Sequence, residues 1–192
     1  MTQAIARLDL PLQTVASTSG KARDMLETSQ RNLGFVPNMY ANMVNSPGVL
    51  QTYQLGYELF RSEGGFTPVE QEVVFLSISR FNGCSYCMAA HSMIGDKMSK
   101  VPADVLAAMR DGRALPDAKL QALAVFATIM VESRGAPTPE QLAAFKAAGY
   151  SDRHALEIIL AIAVKTLSNY TNHVFHTEAD AAFQGYAWQP QA

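Results

Sequence analysis

The chain is poor in cysteine, tryptophan and charge. It has two cysteines, one tryptophan, 15 Lys and Arg and 17 Asp and Glu in 192 residues, so 17% of it is charged and its net charge is −2. A soluble domain averages about 25% charged residues. Each shortage excludes something. Without a basic excess there is no footprint for nucleic acid. Two cysteines three positions apart, Cys84 and Cys87, cannot build a disulfide framework. The longest apolar stretch, Ile158 to Val164, falls far short of the ~20 residues that span a bilayer, so no membrane partner is expected. The start, Met1 to Pro11, has no continuous apolar core of a signal segment, and the cytoplasm is the expected compartment. No nucleotide, haem or flavin motif is present, and no cofactor is expected. Apolar residues reach 48%, which excludes disorder and suits one domain with a sizeable core. Charge this sparse is thin cover for a lone monomer, and it predicts that a second copy of the chain covers part of the surface.

The pattern is helical throughout, with no sustained strand alternation. Thr67-Pro68-Val69-Glu70 combines an N-cap, a proline at the first helical position and a capping-box glutamate. Thr138-Pro139-Glu140-Gln141 repeats the device, and Ser151-Asp152 caps the last long helix. Gly64-Gly65, Gly112, Gly135 and Gly149 stand where helices should stop. The expected architecture is a single compact all-α domain over 1–192, with an N-terminal arm over 1–19. Helices are predicted over 21–32, 39–45, 48–62, 68–81, 84–98, 102–111, 117–133, 139–147 and 152–180, the last interrupted near Leu167-Ser168-Asn169. From Phe66 to Gly95 the only charges are Glu70, Glu72 and Arg80, and from Ala155 to Thr177 they are Glu157 and Lys165. Helices apolar nearly all round are buried, so these segments should form the centre.

The two segments also resemble each other at an ungapped offset of 85. Glu72 falls on Glu157, Arg80 on Lys165, Cys84 on Asn169, Cys87 on Asn172 and His91 on His176. This reads as an internal helix–turn–helix pseudo-repeat, with an active copy over 68–98 and a degenerate copy over 152–180 in which asparagines replace the thiols.

The chemistry concentrates in Gly83-Cys84-Ser85-Tyr86-Cys87-Met88-Ala89-Ala90-His91. Cysteines three apart at a helix start share one turn, and the helix N-terminus favours a thiolate. One thiol can attack while the other resolves the oxidised product. His91 lies one turn beyond Cys87 and two turns, about 10 Å, beyond Cys84. The helix dipole favours Cys84 as the ionised thiol and the reach of His91 favours Cys87; Cys87 is taken as the attacking thiol and Cys84 as the resolving one, with the swapped roles as the alternative. Glu72 stands ten residues before Asn82, about 15 Å back along its helix, and His91 eight residues beyond Gly83, about 12 Å along the next. If the chain reverses at Asn82-Gly83, carboxylate and imidazole come level. Glu72 could then orient His91 as the base for a thiol.

These residues resemble the alkylhydroperoxidase D and carboxymuconolactone decarboxylase-like superfamily, in its peroxidase-related branch. The signature is Glu72, Cys84, Cys87 and His91 at the family's spacing. Leu33-Gly34-Phe35-Val36-Pro37-Asn38 is similar to the peroxidase-related members, and the likeness covers roughly 30–180. The resemblance implies an all-helical fold, thiol-dependent reduction of a hydroperoxide, and assembly into a homo-oligomer, a trimer or hexamer. The alkylhydroperoxidase D enzymes carry a histidine beside the second cysteine where this chain has Tyr86. The oxidised pair would be reopened by a dithiol reductant, lipoamide-like or a protein thiol, since no cofactor motif supplies electrons.

Other readings stand beside this one. Cys84, Cys87 and His91 with His173 or His176 would make four zinc ligands in a non-enzymatic or redox-sensing module. Lactone decarboxylation, the superfamily's other chemistry, does not depend on the cysteine pair. Tyr86 and His173 are possible secondary site residues.

Overall fold

The computed structural model describes residues 4–190, so the first three and last two residues of the expected domain lie outside it. Among the described residues there are nine α-helices and no strand: α1 Gly20–Leu33, α2 Asn38–Met43, α3 Pro47–Glu63, α4 Pro68–Phe81, α5 Ser85–Lys97, α6 Ala103–Asp111, α7 Ala118–Glu132, α8 Pro139–Ala147 and α9 Asp152–Phe175. None is long and apolar enough to cross a membrane. Capping explains the starts. The Thr67 and Glu70 side chains bond reciprocally to each other's backbone N–H, Thr138 and Gln141 do the same, and Ser151 caps α9.

The centre is α4. Every residue from Glu70 to Ser79 is buried, because α4 packs against α5, α6, α7 and α9. Even its capping glutamate serves packing. Glu70 accepts from the Tyr150 hydroxyl (3.0 Å) and pairs with Lys119 on α7 (3.0 Å).

The α4–α5 reversal positions the thiols. The Gly83 N–H bonds to the Arg80 carbonyl (3.0 Å) and the Cys84 N–H to that of Ser79 (2.9 Å). Gly83 sits at φ +67, a left-handed conformation that glycine adopts without strain. Cys84 is the N-cap of α5, and Cys87 lies in its first turn.

Two expectations are corrected. The last helix is not interrupted at Leu167-Ser168-Asn169: α9 runs unbroken for 24 residues. Ser168 stands where the offset places the counterpart of Gly83. It needs no left-handed turn, and its hydroxyl donates to the carbonyls of Val164 and Lys165 (3.2 Å each). The second segment therefore keeps the register of the repeat but not its turn. The helix also stops before 180, at His176, whose φ of +51 closes it. The chain then forms a short 3-10 helix, Ala181–Tyr186, that packs on α5.

The second apolar segment is buried on one side only. Leu156, Ile159 and Tyr170 of α9 are 67%, 48% and 57% exposed, which leaves an apolar stripe on the surface.

Candidate active site

Helices α3, α4, α5 and α9 bring the polar groups of the interior together. Glu72 is fully buried on α4, and its two oxygens meet three partners. Oε2 lies 2.8 Å from His91 Nδ1, while Oε1 lies 2.6 Å from Arg61 Nη2 and accepts from the Ser99 hydroxyl at 3.1 Å. The chain reversal thus brings Glu72 level with His91. Burial pushes the Glu72 carboxyl up, and His91 and Arg61 outweigh it, holding it below its ordinary value. Arg61 is itself held in place, donating to Tyr57 Oη (2.8 Å) and Gln71 Oε1 (3.0 Å).

His91 packs against Phe75, with ring centroids 4.9 Å apart. Because Glu72 is a carboxylate, Nδ1 is assigned the proton and Nε2 is left as an acceptor. Burial and the Lys165 cation hold the imidazole below its ordinary pKa, against the opposing pull of Glu72. It is therefore neutral near pH 7.

Both cysteines are free thiols and buried. They differ in what they face. A cavity of about 680 Å³ is lined by Cys87, His91 and Lys165, with Tyr40, Tyr53 and Phe183 among its other walls; Cys84 is not among the lining residues. Burial pushes the Cys87 thiol up, but the Cys84 S–H and the Lys165 cation hold it well below its ordinary value. Cys84 is pushed well up, first by its hydrogen bond to Cys87 and then by burial. The pair therefore keeps its proton on Cys84 and its negative charge on Cys87.

Helix α9 supplies groups that sequence reasoning missed. The Asn172 amide Nδ2 lies 3.4 Å from Cys87 Sγ and 3.8 Å from Cys84 Sγ, and Asn82 donates to Asn169 at 2.9 Å. Asn172 is the counterpart of Cys87 under the 85-residue offset, so these two repeat positions meet face to face. Lys165 is 1% exposed, and its Nζ has no hydrogen-bond partner. The signal was present as Lys165, Ser168, Asn169 and Asn172, polar residues at positions i, i+3, i+4 and i+7 of an apolar helix. Arg61 carried no such signal.

The remaining candidates lie outside the thiol centre. Tyr86 lines the cavity with its ring, but its hydroxyl is taken by Asp180 at 2.5 Å, and burial followed by Asp180 pushes its pKa up. His173 stacks on Tyr170 (6.5 Å between centroids), and His176 faces the Ile5 carbonyl (3.1 Å). Neither joins Cys84, Cys87 and His91. Among the described residues no group of three or more His, Cys, Asp or Glu is arranged to hold a metal ion.

Comparison with known proteins follows the same lines. Residues 49–129 match the model of the carboxymuconolactone decarboxylase family. No curated protein matches the sequence. A peroxidase-related protein of Ralstonia eutropha JMP134 with an alkylhydroperoxidase AhpD core superposes with a TM-score of 0.80 at 22% identity, over 99% of this chain and 100% of that one. A peroxidase-related protein of Silicibacter sp. TM1040 gives 0.79 at 21%, over 96% of each chain. A cysteine-to-alanine variant of the debrominase Bmp8, in complex with 2,3,4-tribromopyrrole, gives 0.72 at 19%, over 97% of this chain and 96% of that one. A carboxymuconolactone decarboxylase family segment thus lies at 49–129, within a fold shared over nearly the whole chain with a protein of alkylhydroperoxidase AhpD core.

Proposed function

We propose that the protein is an oxidoreductase that reduces organic hydroperoxides with its Cys84–Cys87 dithiol. The observation that carries this reading is the asymmetry of the pair. Cys87 opens on the cavity beside His91, and Cys84 lies behind it as proton donor. Cys87 is the attacking sulfur and Cys84 the resolving one.

Cys87 reacts as the thiolate, and Glu72 orients His91, whose Nε2 takes a proton from solvent and holds it for the leaving group. The thiolate attacks the outer peroxide oxygen. An S–O bond forms, the O–O bond breaks, and the leaving alkoxide receives the proton from His91. The low proton affinity of His91 suits it to release what it has taken. The Cys84 sulfur then displaces hydroxide from the Cys87 sulfenic acid, and the Cys84 proton converts that hydroxide to water. A dithiol reductant, lipoamide-like or a protein thiol, reopens the disulfide. In sum, hydroperoxide and dithiol become alcohol, water and disulfide.

A second substrate has support. The cavity's volume and aromatic walls would accept a halogenated aromatic ring, and the fold is shared with a debrominase bound to a bromopyrrole. The same dithiol would supply the two electrons.

Turnover of an alkyl hydroperoxide with dihydrolipoamide, in parallel with a bromopyrrole, tests the reading. Hydroperoxide turnover should vanish in Cys87→Ser. Cys84→Ser should accumulate a sulfenic acid on Cys87. Turnover in the double variant equal to that of the unaltered protein would end the proposal, and a stable sulfenate on Cys84 alone would reverse the roles. Sparse charge and the exposed Leu156 and Ile159 support a homo-oligomer.

A further inference from the structure

Lys165 stands out among the buried polar groups. Its side chain is 1% exposed, yet Nζ has neither hydrogen bond nor carboxylate, and lies 5.2 Å from the centroid of the Phe75 ring. A buried ammonium without a counter-charge is costly. The carboxylate facing this centre, Glu72, is already engaged by Arg61 and His91. The groups facing this centre are few: Cys84, Cys87 and His91 from α5, Glu72 from α4, Tyr53, Tyr57 and Arg61 from α3, and Tyr40 from α2. Helix α7 has no charge between Lys119 and Glu132. With Glu72 neutralised by Arg61 and His91 neutral, one positive charge remains unmatched, and one group in the cavity wall can match it.

We propose that Lys165 is the counter-cation of the Cys87 thiolate, a positioning residue that keeps the attacking sulfur ionised inside an apolar cavity. The polar face of α9 fits this role as a unit. Lys165 brings the charge, and two turns on Asn172 brings an N–H within 3.4 Å of the same sulfur. The long-range attraction of Lys165 on Cys87 acts in the same direction. The inference also specifies a change of charge with redox state. When Cys87 enters a disulfide its negative charge disappears and Lys165 is left unmatched, so the cation favours the reduced form of the pair and makes the disulfide the more easily reduced.

This rests on Cys87 being the ionised thiol, and the test reads ionisation rather than peroxide turnover, so the two can fail separately. The rate of alkylation of reduced protein by iodoacetamide is followed against pH, the modified sulfur is identified by mass spectrometry, and thiolate absorbance is recorded alongside. Lys165→Met should move the Cys87 midpoint up by at least one pH unit, slowing alkylation about ten-fold or more near pH 7. Lys165→Arg should keep it nearer the unaltered protein. A Lys165→Met midpoint unchanged from the unaltered protein overturns the proposal. Should Lys165→Met not fold, Cys87→Ser asks the same question from the other side. It strands the ammonium, whereas Cys84→Ser leaves the Cys87 thiolate in place, so Cys87→Ser should lose more stability than Cys84→Ser in urea denaturation of the reduced proteins. Equal losses overturn the proposal.

Discussion

Glu72→Gln separates a load shared between two helices from a simple packing role. The side chain is fully buried and joins Arg61 of α3 (2.6 Å) to His91 of α5 (2.8 Å). A glutamine keeps the shape but loses the charge, and its amide N–H must face either a guanidinium or an Nδ1–H, donor against donor. Removing one member of a buried ion pair costs about 3–5 kcal/mol. At roughly 2–4 °C per kcal/mol for a domain of this size, the melting temperature should fall by about 6–20 °C. Urea denaturation of the reduced protein measures the free energy directly. The pH dependence follows from the depressed carboxyl pKa. The stabilisation is whole above the unfolded carboxylate value of about 4.3 and is lost as pH falls through the lower folded one, so the gap between the two proteins should close in acid. Hydroperoxide turnover should fall about a hundred-fold or more as His91 loses its orientation. Equal urea midpoints near pH 7, or a gap that persists unchanged in acid, would refute the reasoning.

Two further outcomes are expected. Tyr86→Phe removes the hydroxyl that Asp180 accepts at 2.5 Å and leaves that buried carboxylate with the Asn38 N–H alone (3.1 Å). This should cost about 1–3 kcal/mol in urea denaturation while Cys87 alkylation is retained, and unchanged stability would count against the Tyr86–Asp180 bond. Leu156→Glu with Ile159→Glu places charge on the exposed stripe of α9. Sedimentation should then show a smaller species than the unaltered protein at the same concentration, and an unaltered size would remove α9 from the proposed subunit interface.

The capping residues show what can be read locally. Thr67-Pro68-Val69-Glu70, Thr138 to Gln141 and Ser151 start helices in the structure where the sequence places them, because a cap is satisfied by residues three apart. The level placement of Glu72 and His91 was also legible, since one glycine turn and the rise per residue determine it. The continuity of α9 was misread because Leu167-Ser168-Asn169 looks like a stop. The Ser168 hydroxyl bonds back within its own helix and removes the reason to break.

The sequence by itself determined the all-helical class, the helix starts and the spacing of Glu72, Cys84, Cys87 and His91, all of which depend on contacts within a turn or across one reversal. Only the tertiary structure decided which sulfur faces the cavity, and that Arg61, Lys165 and Asn172 converge on the same centre from up to 111 positions apart. The physical reason is that these contacts are set by how α3 and α9 pack against α4 and α5. Helical periodicity shows which face of each helix is apolar and leaves open which neighbour that face meets.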